Sequence, residues 1–228
     1  MGRARAVGLF AAGMLASFAV AQDVEIALEA ELASEIVAPM VVATADDAAQ
    51  FGPRPTDPSR GQFIWAPGPP ATGGGGAGYA RWIVEIPKED VYAIWGRVVA
   101  WDGNSDSFWV TVSPPDEDPN PQQSQDTHFR WSVTNGPDWH WDRIDQWLDA
   151  GTFLREWELP QGEVVITIWV REDATMLDAL FITNNLSPDV ALVNPRLPTD
   201  EEVEKQLGGL AVRPAGKLTT AWGQLKVR

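Results

Sequence analysis

Val91-Tyr92-Ala93-Ile94-Trp95-Gly96-Arg97-Val98-Val99-Ala100-Trp101 alternates between two faces. Tyr92, Ile94, Val98 and Ala100 fall on one side, and Trp95, Arg97, Val99 and Trp101 on the other, the period-two pattern of a strand. The pattern repeats outward. Ala80 to Ile86 precedes it across the turn Pro87-Lys88-Glu89-Asp90, and Ser107 to Ser113 follows with Phe108, Val110 and Val112 on one face. Val24, Ile26, Leu28, Ala30 and Leu32 alternate with Glu25, Ala27, Glu29 and Glu31. His128 to Val133, Phe153 to Leu159, Glu163 to Val170 and Leu177 to Thr183 complete the β pattern, with Leu159-Pro160-Gln161-Gly162 as a turn. Asp47 to Gly78, rich in Gly and Pro, reads as long loops around a short Phe63-Ile64-Trp65 strand, and Pro114 to Gln125 as a polar excursion. Short strands between turns, without a long amphipathic helix or an internal repeat, predict an all-β fold, an antiparallel β-sandwich.

The two ends of the chain read differently. Arg3 and Arg5 precede the uncharged apolar run Val7 to Val20, and Ala19-Val20-Ala21 has the A-x-A form of a cleavage site. Residues 1–21 are therefore read as a signal peptide, which predicts a secreted or periplasmic protein. The run is too short for a membrane span of about 20 residues, and no later stretch qualifies. After the sandwich, placed at 23–185, comes a partly helical C-terminal extension, 186–228. Thr199-Asp200-Glu201-Glu202 is a capping box opening a short helix to about Leu207, and Lys217 to Arg228 is a basic tail with Trp222 that offers a place for a protein partner. Its polar, Pro-interrupted composition predicts that trimming after Leu186 leaves the sandwich folded.

Composition excludes several functions. A net charge of -15 repels nucleic acid and anionic lipid. Cys is absent, so neither disulfides nor a thiolate metal site arises, and the two histidines, His128 and His140, lie too far apart to suggest zinc. No G-x-S-x-G, H-E-x-x-H or P-loop occurs. Pairs of acidic residues suited to glycoside hydrolysis arise by chance on so acidic a surface.

Candidate chemistry lies in three places. Glu29 and Glu31, spaced i, i+2 on a strand, share one face and repel each other unless a cation relieves them; alone, the pair also fits a solvated strand face. Asp102-Gly103-Asn104-Ser105-Asp106 has a D-x-N-x-D core, yet Ser107 stands where a calcium loop needs glycine, so a hairpin turn is the better reading, with Asp102 and Asn104 bordering a ligand. Pro137-Asp138-Trp139-His140-Trp141-Asp142 places Trp139 and Trp141 on one side if extended. Indole faces stack on the C–H faces of sugar rings and carboxylates accept their hydroxyls, which makes this segment the candidate platform and Trp65 a second candidate; core burial is the competing reading. Trp82, Trp95, Trp109, Trp157 and Trp169 alternate within strands and read as core, and Arg171-Glu172-Asp173 as a solvated turn with a local ion pair.

The order of these elements resembles the calcium-dependent carbohydrate-binding modules of families 6 and 35, which share a galactose-binding-like, jelly-roll β-sandwich. The matching residues are Glu29-Ala30-Glu31, the glycine run ending in Gly78-Tyr79, Trp82 to Ile86 before a turn, and Val91-Tyr92. Gly151 before Phe153 to Leu159 and the closing Leu177-Asp178-Ala179-Leu180 continue the match, which covers about Asp23 to Asn185. The chain departs from the pattern in its 12 tryptophans and in the insert Pro114 to Gln125. The resemblance implies a structural calcium held by Glu29, Glu31 and Asp178, and a polysaccharide or glycan partner. The expectation is a secreted, non-catalytic carbohydrate-binding protein. An extracellular structural or adhesion domain binding protein partners, and a polysaccharide-active enzyme, are the alternatives.

Overall fold

The computed structural model describes residues 23–49, 57–67, 78–116, 129–148 and 151–211. The expected signal peptide, the glycine run before Gly78, most of the 114–125 insert, His128 and the basic tail lie outside the described residues. In chain order the elements begin with β1 (Glu25–Glu29), β2 (Glu35–Val37), β3 (Val41–Ala43), α1 (Ala45–Ala49), β4 (Phe63–Trp65), β5 (Tyr79–Ile86), β6 (Asp90–Ala100) and β7 (Ser107–Ser113). Then come β8 (Arg130–Ser132), β9 (Gly136–Arg143), β10 (Asp145–Leu148), β11 (Gly151–Leu154), β12 (Trp157–Leu159), β13 (Gly162–Val170) and β14 (Met176–Thr183). Two helices follow, α2 (Val190–Val193) and α3 (Asp200–Ala211).

These strands make the antiparallel sandwich that the alternation predicts. A seven-stranded sheet runs β12-β6-β14-β4-β3, with β1 also on β14 and β9 also on β6; a five-stranded sheet runs β2-β5-β13-β7-β8. Between them lies one apolar cluster. Tyr92, Ile94 and Val98 of β6 and Leu180 and Ile182 of β14 join Trp82 and Val84 of β5, Ile166 and Ile168 of β13, Val110 of β7 and Trp131 of β8. The long β6 strand thus faces inward with the residues its period assigned. Gly96 is needed where it stands, since a Cβ there would lie 2.4 Å from the Trp131 ring and 3.0 Å from Leu177.

The outer face of the larger sheet is also largely covered, which the outward positions Trp95, Val99 and Trp101 of the β6 alternation signal. Strand registers place Arg143, Trp95, Phe181 and Ala27 in one row across the sheet, and Trp141, Arg97, Ala179 and Glu29 in the next. Two clusters cover this face: Phe63, Trp65, Val99 and Met176 with Ala43 and Ala48, and Ala27, Trp95 and Phe181 with Val193 of α2.

Residues 186–211 pack on the sandwich, in contrast to the detachable extension expected from composition. Arg143 donates to the carbonyls of Leu186 (2.8 Å) and Ser187 (3.2 Å). The capping box forms as read, with Thr199 N–H on Glu202 at 2.8 Å, and Glu202 also accepts from Ala27 N–H at 3.3 Å and from Arg196 at 2.7 and 3.0 Å. Gln206 accepts from Glu29 N–H at 3.0 Å and donates to the carbonyls of Glu29 (2.9 Å) and Leu32 (3.1 Å). The segment reads as detachable because polar groups do most of the attaching, and hydrophobic periodicity is blind to them.

Candidate functional site

The three carboxylates singled out at the ends of the sandwich come together beneath α3. Glu29 closes β1 on the outer face and is fully buried. Its Oε1 accepts from the Ser59 hydroxyl at 2.8 Å and from Arg60 Nε at 3.2 Å, while its Oε2 is buried without a partner. Asp178 sits at the bulge that shifts β14 against β6 between Leu177 and Ala179. One of its oxygens accepts from Ser59 N–H at 2.8 Å and the other pairs with Arg97. Glu31 lies in the turn after β1 rather than on the strand, and its Oε2 too is buried and unpartnered. Arg60 continues from Glu29 to Asp200 of α3 at 2.5 Å, tying this cluster to the C-terminal helix.

Burial dominates the electrostatics. It raises Glu29 above the ordinary carboxylate range against the pull of Ser59 and Arg60. It pushes Glu31 to about 8, with repulsion from Glu29 and Asp178 adding to it, and Asp178 to about 6 against the pull of Arg97. Two orphaned carboxylate oxygens suit a hard cation. The third expected ligand is otherwise engaged, since both Asp178 oxygens already have donors. Among the described residues, no group of three or more His, Cys, Asp or Glu stands in an arrangement that holds a metal.

Arg97 links this cluster to the aromatic row. Its guanidinium pairs with Asp178 and lies 5.3 Å from the centre of the Trp139 ring, a cation–π approach. Trp139 and Trp141 both lie on β9, so the segment is extended and the two share one side, and both project from the outer face half-buried. Trp139 meets Phe63 edge-on at 5.7 Å, and Trp141 meets Phe181 edge-on at 6.2 Å. The Trp139 Nε1 has no partner. Trp101, half-buried beyond the end of β6, packs against the same cluster and donates to the Ala174 carbonyl at 3.2 Å. It continues the row, and the sequence reading missed it; its signal was the last outward position of the alternation, next to the Asp102 loop.

Trp65 stands elsewhere. It is 1% exposed, because β4 lies between β14 and β3 and because Met176 and Val41 pair with it on either side. Its indole supports the row from within, edge-on to Phe63 at 5.8 Å, and offers a ligand no surface. Among the strand tryptophans read as core, Trp82, Trp95, Trp109 and Trp157 are buried, whereas Trp169 is half-buried.

Asp102 and Asn104 form the turn that their composition predicts, with Asn104 N–H on the Asp102 carboxylate at 2.9 Å, and both are exposed. Facing them is Arg171-Glu172-Asp173, which makes the expected local ion pair but is largely buried rather than solvated. Glu172 accepts from Asp106 N–H at 3.1 Å and from Ser107, and Arg171 pairs with Glu172 and donates to Ser107. Asp173 is 3% exposed, and burial lifts both it and Asp106 to about 6. Through Trp101 and Ala174 these two loops adjoin the tryptophan row.

No protein-family model matches the sequence, and no curated protein matches it. Solved structures do. A family 35 carbohydrate-binding module from Clostridium thermocellum is 17% identical, with a TM-score of 0.44 over 71% of this chain and 98% of that one. A family 6 module from Cellvibrio mixtus lichenase 5A, solved with cellotriose, is 16% identical, with a TM-score of 0.44 over 68% of this chain and 94% of that one. The C-terminal family 6 module of a marine laminarinase from Zobellia galactanivorans is 14% identical, with a TM-score of 0.42 over 71% and 99%. The structural neighbours of this chain thus include family 35 and family 6 carbohydrate-binding modules.

Proposed function

We propose that this chain is an exported, non-catalytic carbohydrate-binding protein whose ligand lies across Trp139 and Trp141, with Trp101 and the Asp102–Asn104 turn at one end. The observation that carries the reading is the set of three half-buried tryptophans on one sheet face, backed by a buried layer of Phe63, Trp65, Trp95 and Phe181. Such a layer holds indole faces rigid, so little rotamer freedom is lost when a sugar ring stacks on them. Export rests on the composition of residues 1–21. Among the described residues, no helix is long and apolar enough to cross a membrane.

The test is a glycan array, followed by titration of the best-bound glycan with Trp139→Ala and Trp141→Ala. Binding should weaken tenfold or more in at least one variant while the fold persists. Unchanged affinity in both removes the site.

We further propose a structural calcium on the orphaned oxygens of Glu29 and Glu31, beside Asp178. Its support is the pair of buried, unpartnered carboxylate oxygens. Calcium at a hundredfold excess over its Kd adds about 2.7 kcal/mol. Melting with calcium should therefore exceed melting with EDTA, and Glu31→Gln, which leaves the Ser59 and Arg97 contacts in place, should remove the difference. Identical melts of the native chain with and without chelator would refute it.

A further inference from the structure

The sandwich has an open side. β1 ends one margin of the larger sheet, and its inward residues Ile26 and Leu28 are only half-buried, as is Leu32 beyond it. With Trp82 and Val84 of β5 they line a groove of about 280 Å³, roofed by Glu202, Lys205 and Gln206 of α3. This groove lies on the other side of β1 from the tryptophan row, whose residues do not line it. The cavity is mostly apolar, and its rim carries Glu85.

We propose that the occupant of this groove is the chain's own terminal stretch, residues 212–228. Three observations support this. Connectivity is the first: α3 ends at Ala211, five residues past Gln206, so the stretch starts about 7.5 Å along the helix from the groove roof. Apolar pattern is the second: Leu218, Trp222 and Leu225 are spaced i, i+4, i+7, the repeat of a single helix face, and they are bulky enough to fill a groove lined by leucine, isoleucine and tryptophan. Charge is the third: the stretch carries Arg213, Lys217, Lys226 and Arg228 and no Asp or Glu, on a chain whose net charge is -15. Basic residues flanking the apolar face meet an acidic body and the Glu85 rim, and that attraction favours docking at low ionic strength. The stretch therefore completes the hydrophobic core that β1 leaves open.

The chain has no Cys, so engineered cysteines report cleanly. Ser34→Cys, exposed at the groove, and Gly223→Cys, next to Trp222, are introduced together in the full chain and treated with a short bis-maleimide at low micromolar concentration. The proposal expects an intrachain cross-link on the monomer. Adding Leu218→Asp or Leu225→Asp should lower its yield about tenfold or more, because each removes the burial of one leucine. An interchain product would place the stretch in the groove of a second copy and overturn the proposal. So would the absence of any cross-link, or a yield indifferent to both aspartates, which would report tether length alone. Circular dichroism of each variant separates a lost contact from a lost fold.

Discussion

Glu202 is the carboxylate on which the docking of α3 turns, and Glu202→Gln tests how much it contributes. Burial works against its charge, but Arg196, Thr199 and Ala27 all donate to it, and the net effect holds its pKa down at about 2, well below the ordinary glutamate 4.5. Between those values the unfolded chain binds more protons than the folded one, so the contribution is fully present above about pH 4.5 and is lost as pH falls through about 2. At about 1.4 kcal/mol per pH unit that gap is about 3.5 kcal/mol in full, of which solvent screening at this partly exposed carboxylate leaves about 3 kcal/mol at pH 7 and about 1 kcal/mol at pH 3. The glutamine variant keeps a carbonyl for the Thr199 N–H and loses the charge. Its Tm at pH 7 should fall by about 6–12 °C, given roughly 2–4 °C per kcal/mol at this chain length. Paired melts of native and variant chains at pH 7 and pH 3 give the answer. Equal destabilisation at both pH values would refute the electrostatic account, and no destabilisation at either would show that α3 adds nothing to the cooperative unit.

Truncation after Leu186 removes Val193, Glu202 and Gln206 from the outer face and from β1, so the denaturant midpoint should drop sharply; an unchanged midpoint would make the segment an independent appendage. Gly96→Ala should cost about 1–3 kcal/mol by overpacking against the Trp131 ring, read by thermal melt, and Trp131→Leu in the same chain should recover part of it. Asp145, buried beside Asp142 and bonded to Ser132 N–H at 2.8 Å, is raised to about 7 mainly by its burial, so the folded state binds the extra proton and stability falls as pH rises from about 4 to 7. Asp145→Asn keeps the acceptor and should flatten that slope, leaving the variant more stable than the native chain at pH 8; parallel slopes would contradict the assignment.

The alternation in β6 and β7 was legible because each strand is long enough to show its period and lies within a sheet, and β14 read as a strand from its apolar run. Other features were hidden for identifiable reasons. β9 carries Trp139, His140 and Trp141 behind Pro137, so its extended form could be stated only as a condition until its pairing with β6 is seen. The expected strand Phe153 to Leu159 is divided between β11, which pairs with β10, and β12, which pairs with β6, because Arg155 turns inward to Asp116 at 2.7 Å. β2 and β3 are three residues each, below the length at which a period shows. The convergence of Glu29, Glu31 and Asp178 followed from the resemblance. That Arg97 and Ser59 hold both Asp178 oxygens did not, since partners across the sheet leave no trace in local sequence. Trp65 was misread for a similar reason. A three-residue strand among prolines looks peripheral, and only the register beside Met176 makes it central.

Gln206 also bears on how copies of this protein treat one another. β1 is the outermost strand on its side of β14, and the Glu29 N–H and C=O that point away from that neighbour are the groups a foreign strand would seek. One side-chain amide answers both, imitating the peptide group of a missing strand at 3.0 and 2.9 Å. The helix thereby blunts an otherwise adhesive margin, and its detachment would expose a template for edge-to-edge growth. Self-association should therefore follow helix undocking rather than global unfolding.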